Sequence, residues 1–149
     1  MRAVVQRVSE ARVRVDGKIV GEIGPGLLAL VSVGLEDDDR DARSLAEKIV
    51  ELRIFADEAG LMNRSLRDTG GGLLVVSQFT LHGDVRRGRR PSFVAAAREP
   101  LARRLYELVG STAASLNVPV AYGEFGAKMA VELVNEGPVT ILIDTKRAF

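Results

Sequence analysis

The chain has 149 residues, of which 46% are hydrophobic and 28% charged, and its 21 Lys and Arg nearly balance 20 Asp and Glu. It contains no Cys and one His, which excludes a disulfide framework, a thiol nucleophile and a cluster of His metal ligands. No apolar run approaches the roughly 18 residues of a membrane span, and the first residues lack the apolar centre of a signal peptide. We therefore expect one globular domain, residues 1–149, in the cytoplasm.

The first half of the chain is predicted to form strands followed by one helix. Apolar and polar residues alternate in short segments, with a turn at Asp16-Gly17. In the helix, Leu45, Ile49 and Leu52 form an apolar stripe, and the acidic residues 37–39 at its start complement the helix macrodipole. The predicted elements are strands at about 2–9, 11–16, 18–23 and 27–33 and a helix at about 38–53.

The second half is predicted to contain one apolar strand, two helices and a final group of strands. In chain order these are a strand at 73–81, helices at about 93–97 and 100–116, and strands at about 119–125, 128–135 and 138–144. Because hairpins rather than helices link most strands, we predict an α+β fold. Its antiparallel or mixed sheet should curl toward a barrel, with two or three helices. The chain has no Gly-rich nucleotide-binding motif and no nucleophile elbow.

Two polar segments are unusual for their positions. The apolar strand LLVV runs into Ser77, Gln78, Phe79 and Thr80, whose polar groups could face a cavity and whose backbone N–H groups could face a developing oxyanion. A strand that frays into a loop explains the same residues equally well. The segment 135–138, Asn-Glu-Gly-Pro, is typical of a tight turn between two strands. Its Gly-Pro bond could be cis, as about 5–6% of X–Pro bonds are.

Positive charge is concentrated in residues 82–104, which carry seven Arg against two acidic residues. Four of these Arg fall within the five residues RRGRR. Arg presents a planar fork that matches phosphate, so this loop favours a phosphate-rich partner. The alternative is a solvated face.

SQFTL at 77–81 and NEGPVT at 135–140 resemble the two signature motifs of the D-aminoacyl-tRNA deacylases. The opening MRAVVQRVSEARVRVDGKIVGEIGPGLL, the loop RRGRRPSF at 86–93 and the segment FGAKMAVELVNEGPVT at 125–140 are similar to the same family. The resemblance covers essentially the whole chain.

The resemblance implies a homodimer with its active sites at the subunit interface. Such an enzyme hydrolyses the ester that joins a D-amino acid to the terminal ribose of tRNA, acts on some glycyl-tRNA and spares L-aminoacyl-tRNA. This is a chirality-proofreading step that protects translation, and it requires no cofactor and no metal ion.

The family's functional positions correspond to three groups of residues here. The catalytic positions are Ser77, Gln78, Phe79 and Thr80. Gly137 and Pro138 correspond to a Gly-cisPro element that enters the partner's pocket and excludes L side chains. Other substrate-binding positions are Asn135, Thr140, Phe125 and Met129, and the tRNA-binding positions are Arg86, Arg87, Arg89 and Arg90.

The sequence leaves the mechanism and two further functions open. Thr80 could be a nucleophile with His82, two residues further along the predicted strand, as its base. We favour a second model, in which the vicinal 2′-hydroxyl of tRNA assists water and His82 is a solvent-facing loop residue. The alternative functions are a non-catalytic RNA-binding barrel and a related editing deacylase with a trans Gly-Pro bond and relaxed rejection of L substrates.

Overall fold

A computed structural model describes all of residues 1–149. The strands are β1 (Arg2–Val15), β2 (Lys18–Ile23), β3 (Gly26–Ser32), β4 (Phe55–Ala56), β5 (Met62–Arg64), β6 (Gly72–Ser77), β7 (Val120–Tyr122) and β8 (Ala130–Asp144). The helices are α1 (Asp39–Glu51), α2 (Leu66–Thr69) and α3 (Leu101–Ser115), and Phe79–His82 form a 3-10 turn. None of the helices is long and apolar enough to cross a membrane.

The long strand β1 organises the main sheet. It pairs antiparallel with β2, β3 and β8, while β3, β6 and β7 are joined by parallel pairing. The free side of β2 approaches β7 so closely that a Cβ placed at Gly21 would lie 2.1 Å from the Tyr122 carbonyl oxygen. The mixed sheet is therefore nearly closed into a barrel, and the predicted α+β fold is confirmed.

The core lies on both faces of β3 and β6. On one face, Leu27 and Leu73 pack with Leu45 and Ile49 of α1, all four fully buried, and with the buried side of α3. On the other face, Leu28 and Leu74 belong to a smaller cluster inside the sheet's curve. Strands covered on both faces have continuous apolar sequences rather than alternating ones. This explains the apolar runs LLALV and LLVV.

Several predicted boundaries are wrong. The strands predicted at 2–9 and 11–16 are the single strand β1, and those at 128–135 and 138–144 are the single strand β8. The predicted strand 73–81 ends at Ser77. No helix forms at 93–97, because the backbone there bonds instead to the segment that follows β3, with Ala97 N–H donating to the Val33 carbonyl at 2.9 Å.

The acidic run before α1 has two different roles. Asp38 is the N-cap, accepts from the N–H groups of Arg40 and Asp41, and forms a capping box with Asp41. Asp37 instead turns inward and pairs with the amino-terminal ammonium of Met1 at 2.8 Å, where both groups are almost fully buried. The dipole explanation therefore holds for Asp38 and Asp39 but is wrong for Asp37.

Candidate active site

A cavity of about 590 Å³ opens where β3 and β6 end. Its uncharged polar groups come from the strand ends, where Ser32, Ser77 and Gln78 line the wall, and two charged residues, Arg98 and Glu99, line it just before α3. Most of the remaining wall is apolar, including Phe125 and Met129. An apolar cavity with a few convergent polar groups is the usual form of a ligand site.

The polar strand end turns sharply beside this cavity. After Ser77, Gln78 N–H donates to the Val31 carbonyl at 2.7 Å, and the chain then leaves the sheet in the 3-10 turn. Phe79 lines the cavity, whereas Thr80 is exposed and does not. None of the turn, loop or side-chain hydrogen bonds uses the N–H of Phe79 or Thr80, as expected for the first donors of a helical turn.

The Thr80 hydroxyl has no base beside it. Its Oγ1 accepts a hydrogen bond from Gln78 Nε2 at 2.6 Å. His82 Nδ1 lies 2.5 Å from Ser32 Oγ instead, and Ser32 Oγ is 3.2 Å from the Phe79 carbonyl oxygen. The prediction that alternation places Thr80 and His82 on one face is wrong, because the chain is no longer a strand there.

His82 is half-buried rather than solvent-facing, which corrects the second interpretation of this residue. Burial lowers its pKa, and the neighbouring Arg2 lowers that pKa further. The imidazole is therefore neutral at physiological pH and is available as a hydrogen-bonding group.

Aromatic rings form part of the cavity wall. The guanidinium of Arg103 lies 4.7 Å from the centre of the Phe125 ring, which also packs 5.6 Å from Tyr106. Phe79 meets Phe93 edge to face at 5.1 Å, although more than half of Phe79 is exposed. These walls hold flat apolar surfaces around the polar strand end.

NEGPVT forms a bulge within β8, not the predicted hairpin turn. Val8 pairs with Asn135 and Gln6 with Thr140, so four residues of β8 oppose Arg7 alone. Asn135 Nδ2 closes the bulge by donating to the carbonyls of Arg7 and Val139, each at 3.0 Å. Thr140 Oγ1 accepts from Gln6 Nε2 at 3.3 Å, so it continues the ladder rather than facing the cavity.

The bulge presents Gly137 and Pro138 to solvent. Both residues are exposed, Gly137 has a φ of 127°, and the peptide bond between them is cis. Arg7 supports the bulge through Nε to the Glu136 carbonyl at 3.3 Å and Nη1 to the Ile54 carbonyl at 2.6 Å. Neither Gly137 nor Pro138 lines the cavity of its own chain. A single chain thus does not bring the two signature segments together.

The arginine loop is a separate surface, residues 85–91, pinched at its base by two backbone hydrogen bonds between Asp84 and Ser92. Arg86 folds back onto Asp84, with Nη2 to Oδ2 at 2.6 Å, and this contact holds the pKa of the carboxyl well below its usual range. The other three side chains form no ion pair within the chain. They are Arg87, Arg89 and Arg90.

Two residues that shape the cavity and the bulge were not predicted from the sequence, Ser32 and Arg7. Ser32 is the one polar residue at the end of an otherwise apolar strand, which is a usable signal. Arg7 also left a signal, because it stands at the alternate positions of the buried Ala3 and Val5 and so interrupts the apolar side of β1.

Comparison with known proteins matches almost the whole chain to one protein family. Residues 4–144 match the sequence model of a family described as D-Tyr-tRNA(Tyr) deacylase. The D-aminoacyl-tRNA deacylase of Thermosipho africanus is 55% identical over the full length of both chains. That of Deinococcus radiodurans is 54% identical over 97% of this chain and 99% of the relative.

Two solved structures share the fold. The c-Myc DNA unwinding element binding protein is 36% identical, with a TM-score of 0.91 over 97% of this chain and 99% of its own. A structure described as a probable eukaryotic D-amino acid tRNA deacylase is 18% identical, with a TM-score of 0.80 over 95% and 97%, and shows the fold alone. With a family match over nearly its whole length and full-length relatives above 50% identity, this chain belongs to the D-Tyr-tRNA(Tyr) deacylase family.

Proposed function

We propose that this protein hydrolyses the ester between a D-amino acid and the terminal ribose of tRNA, as one domain of residues 1–149 acting in the cytoplasm. Free tRNA and a free D-amino acid result, which removes D residues before translation uses them. The observation that carries the proposal is the cavity at the polar strand end. It occurs in a chain whose full-length relatives are D-aminoacyl-tRNA deacylases.

The hydrolysis needs little acid–base chemistry from the protein. Water attacks the ester carbon, the carbonyl oxygen becomes an oxyanion, and the bond to the ribose oxygen breaks as that oxygen takes a proton. The unused N–H groups of Phe79 and Thr80 stabilise the oxyanion, and the vicinal 2′-hydroxyl of the ribose assists the proton transfer. Aminoacyl esters are already activated, so positioning supplies much of the rate.

The position of Thr80 supports this model over a nucleophilic threonine. A hydroxyl nucleophile needs an adjacent base, and His82 is held by Ser32 instead. Thr80→Ala keeps the backbone N–H, so we expect kcat to fall less than about tenfold. A loss of about 10³-fold, typical of an essential catalytic group, would refute ribose assistance.

Selection of D substrates is assigned to Gly137 and Pro138 of a second copy of the chain. With the amino and ester groups held, inverting the configuration exchanges hydrogen and side chain at the substrate Cα. A rigid wall on the hydrogen side therefore accepts D residues and glycine and excludes L residues. The rigidity comes from the hydrogen bonds that Arg7 and Asn135 make across the bulge.

The free edge of β8 supports the homodimer. β8 pairs with β1 along one side only, and its 15 residues include Val134 and Leu142, which are 50% and 60% exposed. A long exposed strand edge with apolar side chains beside it is a template for pairing with another chain. A second copy of the chain on this edge would also cover the bulge, whose Gly137 and Pro138 do not line the cavity of their own chain.

A deacylation assay with D-, L- and glycyl-tRNA tests the function. We expect catalytic amounts of protein to release the D-amino acid and glycine while L-aminoacyl-tRNA persists. Equal rates on D and L substrates would refute chiral selection. Binding of tRNA without turnover would instead identify a nucleic-acid-binding barrel. The similar structure of the c-Myc DNA unwinding element binding protein, which its name describes as a DNA-binding protein, favours that alternative.

Gly137→Ala tests the selecting element against a matched glycine. A Cβ at Gly137 would lie 2.8 Å from Val139 Cγ2, so the bulge must shift, and we expect at least about tenfold weaker discrimination between D and L substrates. Gly17→Ala is the control, because Gly17 also has positive φ but nothing within 4 Å of its Cβ position. Equal discrimination in the two variants would remove Gly137 from the selecting element.

A further inference from the structure

A buried hydroxyl and the only histidine of the chain meet behind the cavity wall. Ser32, the last residue of β3, is 1% exposed and contributes to that wall. Its Oγ lies 3.2 Å from the Phe79 carbonyl oxygen and 2.5 Å from His82 Nδ1. Neither Ser32 nor His82 takes part in the proposed reaction.

One assignment of protons satisfies both hydrogen bonds. A serine hydroxyl has one proton, and a carbonyl oxygen can only accept. If Ser32 donates to the Phe79 carbonyl, its oxygen must accept from His82, so the imidazole carries its proton on Nδ1. This arrangement satisfies all three groups, whereas the opposite direction leaves the Phe79 carbonyl without the serine proton.

We propose that Ser32 and His82 are positioning residues, in which His82 Nδ1–H donates to Ser32 Oγ and the Ser32 hydroxyl holds the Phe79 carbonyl. The Phe79 carbonyl and the Thr80 N–H belong to one planar trans peptide unit, so they point in opposite directions. Fixing the carbonyl against Ser32 therefore fixes the direction of the Thr80 N–H. This inference rests on the proposed function, which uses that N–H to bind the oxyanion.

The two ends of the turn are fixed by other contacts, and the pair supplies the middle one. Gln78 N–H is bound to Val31, and the Leu81 carbonyl accepts from Arg2 Nη1 at 3.0 Å. Between them, Ser32 is the one side chain that bonds to the Phe79 carbonyl. The backbone hydrogen bonds of the 3-10 turn restrain the peptide unit that carries the Thr80 N–H, and Ser32 adds the one side-chain contact that fixes its direction.

The surroundings of His82 keep the imidazole neutral. Besides burial, Arg2 from β1 and the amino-terminal ammonium disfavour the charged ring. Asp37, from the loop after β3, and Asp144, at the end of β8, favour it but do not reverse the balance. The pKa of His82 therefore lies below its ordinary value. The neutral imidazole carries one ring proton, and its hydrogen-bond partner decides which nitrogen holds it.

Nitrogen NMR of the imidazole tests the pair independently of activity. His82 is the only histidine, so ¹⁵N-histidine labelling of the protein without a His tag gives one imidazole signal set. We expect the neutral Nδ1–H tautomer at pH 8, and Ser32→Ala should shift the ring toward Nε2–H, the form that free imidazole side chains favour. An Nε2–H tautomer in the unmodified protein would overturn the proposal.

Kinetics test the functional half of the proposal. Ser32→Ala and His82→Ala should each lower kcat about tenfold with little change in KM, since the orientation matters when the oxyanion forms. The double variant should be no slower than either single one, because both break one chain of hydrogen bonds. His82→Asn places an N–H donor near the Nδ1 position and should restore most of the activity.

A buried serine elsewhere provides the matched control. Ser65, 3% exposed, caps α2 by accepting from Asp68 N–H, and it does not line the cavity. Ser65→Ala should lower Tm but leave kcat unchanged. If Ser32→Ala and His82→Ala also lower only Tm, the pair is merely structural and the proposal fails. If the unmodified protein shows no turnover of D-aminoacyl-tRNA, the proposed function is refuted, and the positioning role of Ser32 and His82 is refuted with it.

Discussion

Replacing Arg87, Arg89 and Arg90 by Gln is expected to weaken tRNA binding and to flatten its dependence on salt. The three side chains project from a loop that is closed at its base, and none is neutralised by a carboxylate of the chain. Arg86 is left in place, because its fork to Asp84 stabilises the loop. The perturbation therefore removes charge without unfolding the loop.

The magnitude follows from counterion release. Each phosphate contact contributes about 0.7 to 0.9 to the slope of log K against log salt concentration, so three contacts contribute roughly 2 to 2.7. Over a fourfold rise in salt, this difference in slope corresponds to roughly 15- to 40-fold in affinity. The unmodified protein should lose that much more affinity than the variant.

Fluorescence anisotropy with labelled tRNA at several salt concentrations measures both slopes. The matched control is Arg40, Arg43 and Lys48→Gln on α1, which changes the net charge equally at exposed positions outside the arginine loop. We expect the control to keep most of the slope. Equal slopes in the loop variant and the unmodified protein would show that the loop does not contact phosphates.

Three further predictions concern stability and are measured by urea denaturation. Leu45→Ala, at a fully buried position, should lower the free energy of unfolding by about 2–5 kcal/mol; a smaller loss would mean that the core collapses around the gap. Gly21→Ala should lower it by about 1–3 kcal/mol, because the new Cβ would meet a β7 carbonyl oxygen at 2.1 Å. Burial raises the pKa of Asp41, but hydrogen bonds from Thr145, a backbone N–H and Lys146 outweigh it and lower the pKa to about 2. Since the pKa of Asp41 is depressed in the folded state, its contribution to the free energy of unfolding is present above about pH 4 and is lost as pH falls toward 2. Asp41→Asn should therefore flatten the fall in the free energy of unfolding between about pH 4 and pH 2.

The polar strand end shows how far local sequence could predict the site. Ser, Gln and Phe at positions 77–79 do line a cavity, because polar groups that follow a buried strand need partners or solvent. The position of Thr80 was not predictable, since the sequence does not reveal where the chain leaves the sheet. The error for His82 has the same origin.

The bulge at 136–139 could not be distinguished from a hairpin turn by local chemistry. Asn, Gly and Pro suit both structures, and the choice is made by residues far away in sequence. β1 continues past the bulge and pairs with β8 on both sides of it, so the chain stays in the ladder. Tertiary pairing of this kind overrides the turn preference.

The pairing of β1 with β8 also sets the timing of folding on the ribosome. Arg2 lies opposite Asp144 and Arg14 opposite Ala130, so β1 cannot complete its pairing until β8 has been synthesised. At about 5–20 residues per second, the wait is roughly 7 to 30 seconds. Throughout that interval β1 has one unpaired edge, and protection of that edge from wrong pairing by a chaperone would govern the yield of folded protein.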